Sequence, residues 1–141
     1  MQNVAKIPEY FSRSLMPLPL NIVLFTKEKD FKRECRRLGM GDYDFVDDHA
    51  VACVHTFENM KDHTTLNMVC VDMKKLEGKE AHEVIGMLVH EATHLKQRCM
   101  QYLGEDEPSK EFEAYSMQHL TEELVRQFFK QNATKRPTRK T

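Results

Sequence analysis

The hydrophobic positions in the first half of the chain form short runs and alternations. Residues 22–25 are an unbroken apolar run, which is typical of a buried strand. Residues 50–57 and 66–73 instead alternate between two faces, as strands do. The polar stretch 59–64 between them suits the turn of a hairpin with a rather long loop. This half of the chain therefore predicts three strands.

Apolar residues recur at helical spacing in three other stretches. We expect one helix over 27–38, capped by Thr26 and ended by Gly39. The second carries the stripe Ala81, Val84, Ile85, Leu88, Ala92, Leu95 and Cys99, and residues 104–108 end it. The third follows Ser109 as its cap, runs to about Lys130 and carries the stripe Ala114, Met117, Leu120, Leu124, Val125 and Phe128.

The order of these elements is strand, helix, two strands and two helices. Because the strands come early and the long helices late, the order favours an α+β layer over a repeated βαβ unit. We expect a twisted sheet of about three strands in a single domain over residues 1–130. Residues 131–141 are basic and contain a proline, so they predict a disordered tail.

Composition and charge exclude several classes of protein. The chain has 141 residues and a net charge of −1, which gives no general attraction to nucleic acid beyond the basic tail. No apolar run has the length of a membrane span, and residues 1–10 lack the core of a signal peptide, so we expect a cytoplasmic protein. The four cysteines are widely spaced, and we expect reduced thiols. Cys53 and Cys70 either face each other on paired strands or are simply buried apolar residues.

The second helix carries a pattern with its own chemistry, His90-Glu91-Ala92-Thr93-His94. Residues four apart lie on one face of a helix, so both imidazoles can reach one ion. Glu91 then lies within reach of a water bound to that ion, as in the HExxH motif of zinc hydrolases. The alternative is two surface histidines on an amphipathic helix. Gly86 precedes His90 by one turn and either clears room over the metal or lets a strand pack closely.

A catalytic zinc takes three protein ligands. Glu111 and Glu113 lie in the first turn of the third helix, and helical phase places Glu113 within the apolar stripe and Glu111 on the far side. A carboxylate in a buried stripe is costly unless it is paired or binds a metal. Glu113 is therefore the predicted third ligand and Glu111 the reserve, with His82 as a spare. An ordinary first-turn glutamate remains the alternative for Glu113.

The HExxH motif, eighteen intervening residues and Glu113 together resemble the gluzincin signature of thermolysin-like and aminopeptidase-like metalloenzymes. Residues 104–115 also resemble small, mostly phage-encoded metallopeptidases. The resemblance covers about residues 80–120. It departs at Met117, where thermolysin-like enzymes carry an aspartate that supports a histidine ligand.

The resemblance implies a small zincin-like core in which a helix pair carries the metal site, with Zn²⁺ as cofactor and a peptide or protein as substrate. It also implies that one strand of residues 50–73 binds the peptide by strand addition. The reaction is then hydrolysis of a peptide bond with Glu91 as general base, in the host cytoplasm if the protein is phage-encoded. Tyr102 and Tyr115 are possible oxyanion donors. The alternative is a zinc-stabilised binding module that targets a host protein without hydrolysis.

Overall fold

The computed structural model describes residues 20–132. Predictions for residues 1–19 and for most of the basic tail lie outside this range. The elements in chain order are β1 (Asn21–Phe25), α1 (Glu28–Arg37), β2 (Ala52–Glu58), β3 (Thr65–Val71), a short 3-10 helix (Met73–Leu76), α2 (Ala81–Leu103) and α3 (Lys110–Asn132). None of these helices has the length and apolar character needed to cross a membrane.

The three strands form one mixed sheet in the order β1-β3-β2. β2 and β3 are antiparallel and make the predicted hairpin, whereas β1 pairs with β3 in parallel. β3 is therefore the central strand, and its apolar residues are buried on both faces. The α+β class is confirmed, with three strands and three α-helices among the described residues.

The sheet separates two hydrophobic clusters. Phe31 and Cys35 of α1 pack on one face, against Val23, Phe25 and strand residues that include Met68 and Cys70. α2 and α3 cover the other face, and their buried side chains there are Leu88, Ala92, Leu95, Cys99, Leu120, Leu124 and Phe128. The motif helix thus lies on the sheet with α3 beside it.

The helix ends agree with the prediction except at two places. Gly104 takes the left-handed conformation (φ 71°) that ends α2, and the Ser109 hydroxyl accepts the Phe112 amide at 3.3 Å. The predicted Thr26 cap is wrong, because Lys27 occupies the N-cap and makes no side-chain cap. α3, predicted to run to about Lys130, continues to Asn132, so the first two residues of the predicted tail are helical.

The predicted apolar stripes begin too early along both helices, because their first residues are exposed. Ile85 is 41% exposed, and Ala81 and Ala114 are exposed as well. Gly86 is also exposed, and a Cβ added to it would meet no atom within 4 Å. Gly86 therefore does not serve the close packing of a strand, which was one of its two interpretations.

The outer edge of β1 is covered by α3. Gln127 Oε1 accepts the Leu24 amide at 2.8 Å, and Gln131 Nε2 donates to the Leu24 carbonyl at 2.6 Å. Gln127 Nε2 also donates to the Ile22 carbonyl at 3.4 Å. Backbone groups at a buried sheet edge need partners, and here glutamine amides take the place of a neighbouring strand.

Candidate metal centre

His90 and His94 present their imidazoles side by side on the exposed face of α2. Their Nε2 atoms are 3.2 Å apart and their ring centroids 4.8 Å apart. Two nitrogens bound to one tetrahedral zinc at 2.0–2.1 Å are separated by about 3.3 Å. The pair is therefore spaced as two ligands of one ion, and the geometry follows from the four-residue spacing along α2.

Gln97 fixes the orientation of one of these rings. His94 Nδ1 lies 3.1 Å from Gln97 Oε1, and an amide oxygen only accepts, so Nδ1 carries the proton. In the neutral ring Nε2 then has a free lone pair, which is the state that a metal ligand requires. Gln97 is thus the hydrogen-bond partner of His94 Nδ1 on the exposed face of α2.

Glu91 lies inside the fold although its two histidine neighbours are exposed. The residue is 5% exposed, and its Oε2 atom is buried without a hydrogen-bond partner. Burial raises the pKa of Glu91, because a low-dielectric surrounding disfavours the charged carboxylate, and the nearby His90 and His94 oppose this shift. A buried carboxylate oxygen without a hydrogen-bond partner is costly to the fold.

Glu113 does not join His90 and His94 in a group of three possible metal ligands. Its Oε1 atom lies 2.6 Å from Lys96 Nζ in an ion pair that joins the first turn of α3 to α2. Glu111 is exposed, as its helical phase predicts. Within residues 20–132 no three His, Cys, Asp or Glu side chains come close enough to hold a metal. The histidine pair fits two ligand positions, and the third ligand stays a prediction.

The remaining predicted candidates lie in ordinary surface contacts. His82 lies 3.3 Å from Glu80 at the start of α2. Tyr102 donates its hydroxyl to the His63 carbonyl at 3.0 Å, so this hydroxyl already has a partner. Tyr115 is 56% exposed on α3. These contacts assign none of the three residues to the site.

β2 is the strand nearest the motif helix at the sheet edge. The Val51 carbonyl accepts the Asp72 amide at 2.9 Å, so odd-numbered residues of β2 bond to β3 and even-numbered ones point outward. Arg98 of α2 takes part of this outer edge: it contacts the Val54 carbonyl at 3.4 Å and donates to the Thr56 hydroxyl. The guanidinium therefore lies between the motif helix and the open edge.

Sequence reasoning missed Gln97 and Arg98. A search for amide or carboxylate side chains three residues after a histidine would have found Gln97, since that spacing brings two side chains together on a helix. Arg98 gave no comparable signal, because its partners are 42 and 44 residues away in sequence.

Comparison of the chain with protein-family models, with curated proteins and with solved structures gave no match in any of the three.

Proposed function

We propose that this protein is a zinc-dependent metallopeptidase with a zincin-like core. The observation that carries the proposal is the pairing of His90 and His94, whose Nε2 atoms are 3.2 Å apart, with the buried and unpartnered Oε2 of Glu91. Two histidines at ligand spacing support the binding of a metal ion. A buried carboxylate of raised pKa beside them supports a role as proton acceptor. A purely structural metal site has no need of such a base.

His90 and His94 would hold the zinc through Nε2, with Gln97 keeping the His94 ring in the required tautomer. When bound, zinc supplies a Lewis acid for the substrate carbonyl and lowers the pKa of water toward about 7. Glu113 is the proposed third ligand. Because its carboxylate is held by Lys96 at 2.6 Å, this role requires the side chain to exchange one cationic partner for another.

Glu91 would accept the proton of the attacking water and deliver it to the leaving amine, and because Oε2 is shielded from solvent this role requires the carboxylate to turn toward the histidines. A general base works best when its pKa lies near the working pH, and burial shifts the pKa of Glu91 in that direction. The carboxylate also has no competing hydrogen-bond donor at this oxygen. It is therefore free to receive a proton without first breaking a bond within the fold.

The outer edge of β2 would bind the substrate by strand addition. β3 is central and β1 is covered by glutamines of α3, so β2 is the edge that remains within the described sheet. The outward groups of Val54 and Thr56 lie beside α2, where Arg98 contacts both residues. An added peptide would displace Arg98 from the Val54 carbonyl, and its own backbone would then bond to the strand.

A second candidate function is a zinc-stabilised binding module without hydrolytic activity. The departure at Met117 from the thermolysin-like pattern favours it, because the aspartate that supports a histidine ligand in those enzymes is absent here. Both candidates use the same histidines and the same edge of β2. They differ in whether Glu91 transfers a proton.

The test measures zinc content by elemental analysis and cleavage of a peptide library on the same samples. Wild type is compared with Glu91→Gln and with the exposed control Glu122→Gln. We expect one zinc per chain in all three and loss of cleavage in Glu91→Gln alone. Cleavage at the wild-type rate in Glu91→Gln would remove Glu91 as the base, and zinc without cleavage in any sample would favour the binding module.

The ligand set is tested by zinc affinity. His94→Ala should lose the metal, and retained stoichiometric zinc would remove His94 from the set. Glu113→Ala should bind zinc more weakly than Glu111→Ala, its neighbour on the exposed side of α3. Lys96→Met releases Glu113 from its ion pair and should strengthen zinc binding. Unchanged affinity in both Glu113→Ala and Lys96→Met would show that another group completes the site.

A further inference from the structure

Two cysteines face each other across the hairpin, away from the candidate metal centre. Cys53 of β2 and Cys70 of β3 are register partners, and both are free thiols. Directly opposite residues of antiparallel strands have Cα atoms about 4.5–5.5 Å apart, within the range of about 4.4–6.8 Å that a disulfide spans. Cys53 is half-buried and Cys70 fully buried. The bond between the Asp72 amide and the Val51 carbonyl makes Cys53 and Cys70 a hydrogen-bonded pair, so their Cα atoms are about 5.5 Å apart, which a disulfide can span.

His55 lies beside Cys53 and is fixed in place. His55 Nε2 is 3.3 Å from Cys53 Sγ and 3.1 Å from the Phe45 carbonyl. Because a carbonyl oxygen only accepts, Nε2 carries a proton and points it toward both the oxygen and the sulphur. Phe31 stacks on the imidazole with ring centroids 5.2 Å apart, and the Phe57 ring centroid is 6.3 Å from that of the imidazole. The donor is thus held in contact with the sulphur by aromatic packing.

Contacts of opposite sign act on the Cys53 thiol: the Phe45 carbonyl, 3.3 Å from Sγ, accepts the thiol proton, whereas His55 and Cys70 stabilise the thiolate. Hydrogen bonding from the Cys70 thiol, and then from His55, lowers the pKa of Cys53 to about 5 against the opposing effect of burial. The other charged groups that act on this pair are Asp47 of the preceding loop and Glu91 of α2. Burial instead raises the pKa of Cys70, so Cys70 remains a thiol. One sulphur is a nucleophile and its partner keeps a proton.

We propose that Cys53 and Cys70 form a reversible disulfide between β2 and β3, in which Cys53 is the sulphur that reacts first with a hydroperoxide. The Cys53 thiolate attacks the peroxide oxygen, takes up one oxygen as a sulfenic acid and, with a proton, releases water from hydrogen peroxide. The Cys70 sulphur then attacks that sulphur while its proton passes to the departing hydroxide, so that the S–S bond forms and a second water leaves. Two electrons pass from the sulphurs to the peroxide, and a dithiol reverses the bond by exchange.

The other two cysteines do not fit this role. Cys35 of α1 is buried in the same cluster as Cys70, and burial raises the pKa of its thiol. Cys99 of α2 lies in the cluster on the opposite face of the sheet, and burial raises the pKa of its thiol too. Neither is a register partner of another cysteine. They serve as internal controls within the same chain.

The reactivity of Cys53 has a pH dependence that an ordinary thiol lacks. A lowered pKa increases the thiolate fraction but decreases the nucleophilicity of each thiolate. For a pKa of about 5 against about 8.5, the two effects make Cys53 roughly 20-fold faster at pH 5.5 and roughly tenfold slower at pH 8. The reaction with hydroxyethyl disulfide, followed by peptide mass, measures this against a free cysteine peptide.

The decisive experiment treats the wild-type, full-length protein with hydrogen peroxide and maps its thiols and disulfides by mass spectrometry. We expect loss of two hydrogen atoms, a Cys53–Cys70 linked peptide, and recovery of both thiols with dithiothreitol. Cys70→Ala should accumulate a sulfenic acid at Cys53 that dimedone traps, and Cys99→Ala should behave as wild type. A Cys35–Cys70 link, or oxidation that spares Cys53 in the wild-type protein, would overturn the proposal whether or not the variants fold.

Discussion

Replacing Glu91 by glutamine should stabilise the metal-free protein at high pH. The wild-type carboxylate is 5% exposed and its Oε2 atom has no hydrogen-bond partner. Leaving a buried polar atom unpaired costs about 1–3 kcal/mol, and more when the group is charged. A neutral amide of the same size avoids the charge. Because the amide atom at that position also stays unpaired, only the extra cost of the charge is relieved, and we expect Glu91→Gln to gain on the order of 1 kcal/mol in the free energy of unfolding at pH 8, or roughly 4 °C in Tm.

The gain should depend on pH with a definite sign. Because burial raises the pKa of Glu91 in the folded state, the wild type is destabilised above that pKa, where the group is charged. The cost disappears as the pH falls through the folded pKa toward the unfolded value of about 4.3. Wild type and Glu91→Gln should then become equally stable near pH 4, apart from contributions that both proteins share.

The assay is urea unfolding with a metal chelator present, at pH 8 and at pH 4, for Glu91→Gln, wild type and Glu122→Gln. The control carboxylate is exposed on α3, so its replacement should change stability by less than about 0.5 kcal/mol at either pH. A Glu91→Gln variant that is less stable than wild type at pH 8 would refute the reasoning. It would mean that the fold itself stabilises the carboxylate, and Glu91 would no longer be free to act as a base.

Three further substitutions test one exposed helix position, one sheet-edge hydrogen bond and one helix end. Gly86→Ala should stabilise α2 by about 0.5–1 kcal/mol in thermal unfolding, because a Cβ there meets no atom. A fall in cleavage despite this gain would show that the glycine clears room for substrate. Gln127→Ala should cost about 1–3 kcal/mol in urea unfolding, since the Leu24 amide loses its 2.8 Å acceptor; a neutral result would mean that water replaces it. Gly104→Ala should lower stability by about 1–2 kcal/mol, because the C-cap has a φ of 71°, and an unchanged Tm would show that the turn adapts.

Local patterns were enough to predict most elements of this fold. Alternation identified both strands of the hairpin, and Gly104 and Ser109 marked the break between the two long helices. The order of strands in the sheet could not be read in this way. Whether β1 pairs with β3 or with β2, and in which direction, depends on how α1 crosses the sheet, and no residue of β1 itself encodes that choice.

The length of α2 explains why its predicted apolar stripe began too early along the helix. A helix of 23 residues is about 35 Å long, whereas a strand of seven residues spans about 24 Å. The fully buried residues of α2 begin only at Leu88, whereas Val84 and Met87 pack partly against the core and Ile85 is exposed. Periodicity identifies the inward face of a helix but not the point at which the surface beneath it ends.

The pairing of the two histidines is determined within a single helix, and the metal site that it predicts stays a prediction. The four-residue spacing brought the His90 and His94 imidazoles together, as the motif requires. Glu113 belongs to a different helix, and its phase predicted a place within the buried stripe, whereas its side chain is 44% exposed and paired with Lys96. Lys96 reaches the carboxylate with a long and flexible side chain, and such a choice among partners cannot be read from helical phase.

The glutamines of α3 that cover β1 have a consequence for self-association. A sheet grows into a fibril only when each molecule offers two unsatisfied edges, one to the previous copy and one to the next. Gln127 and Gln131 hydrogen-bond to the amide and the carbonyl of Leu24. The described sheet therefore keeps a single edge for such growth. Two molecules joined through that edge would have none left, and polymerisation by strand pairing would stop at a dimer.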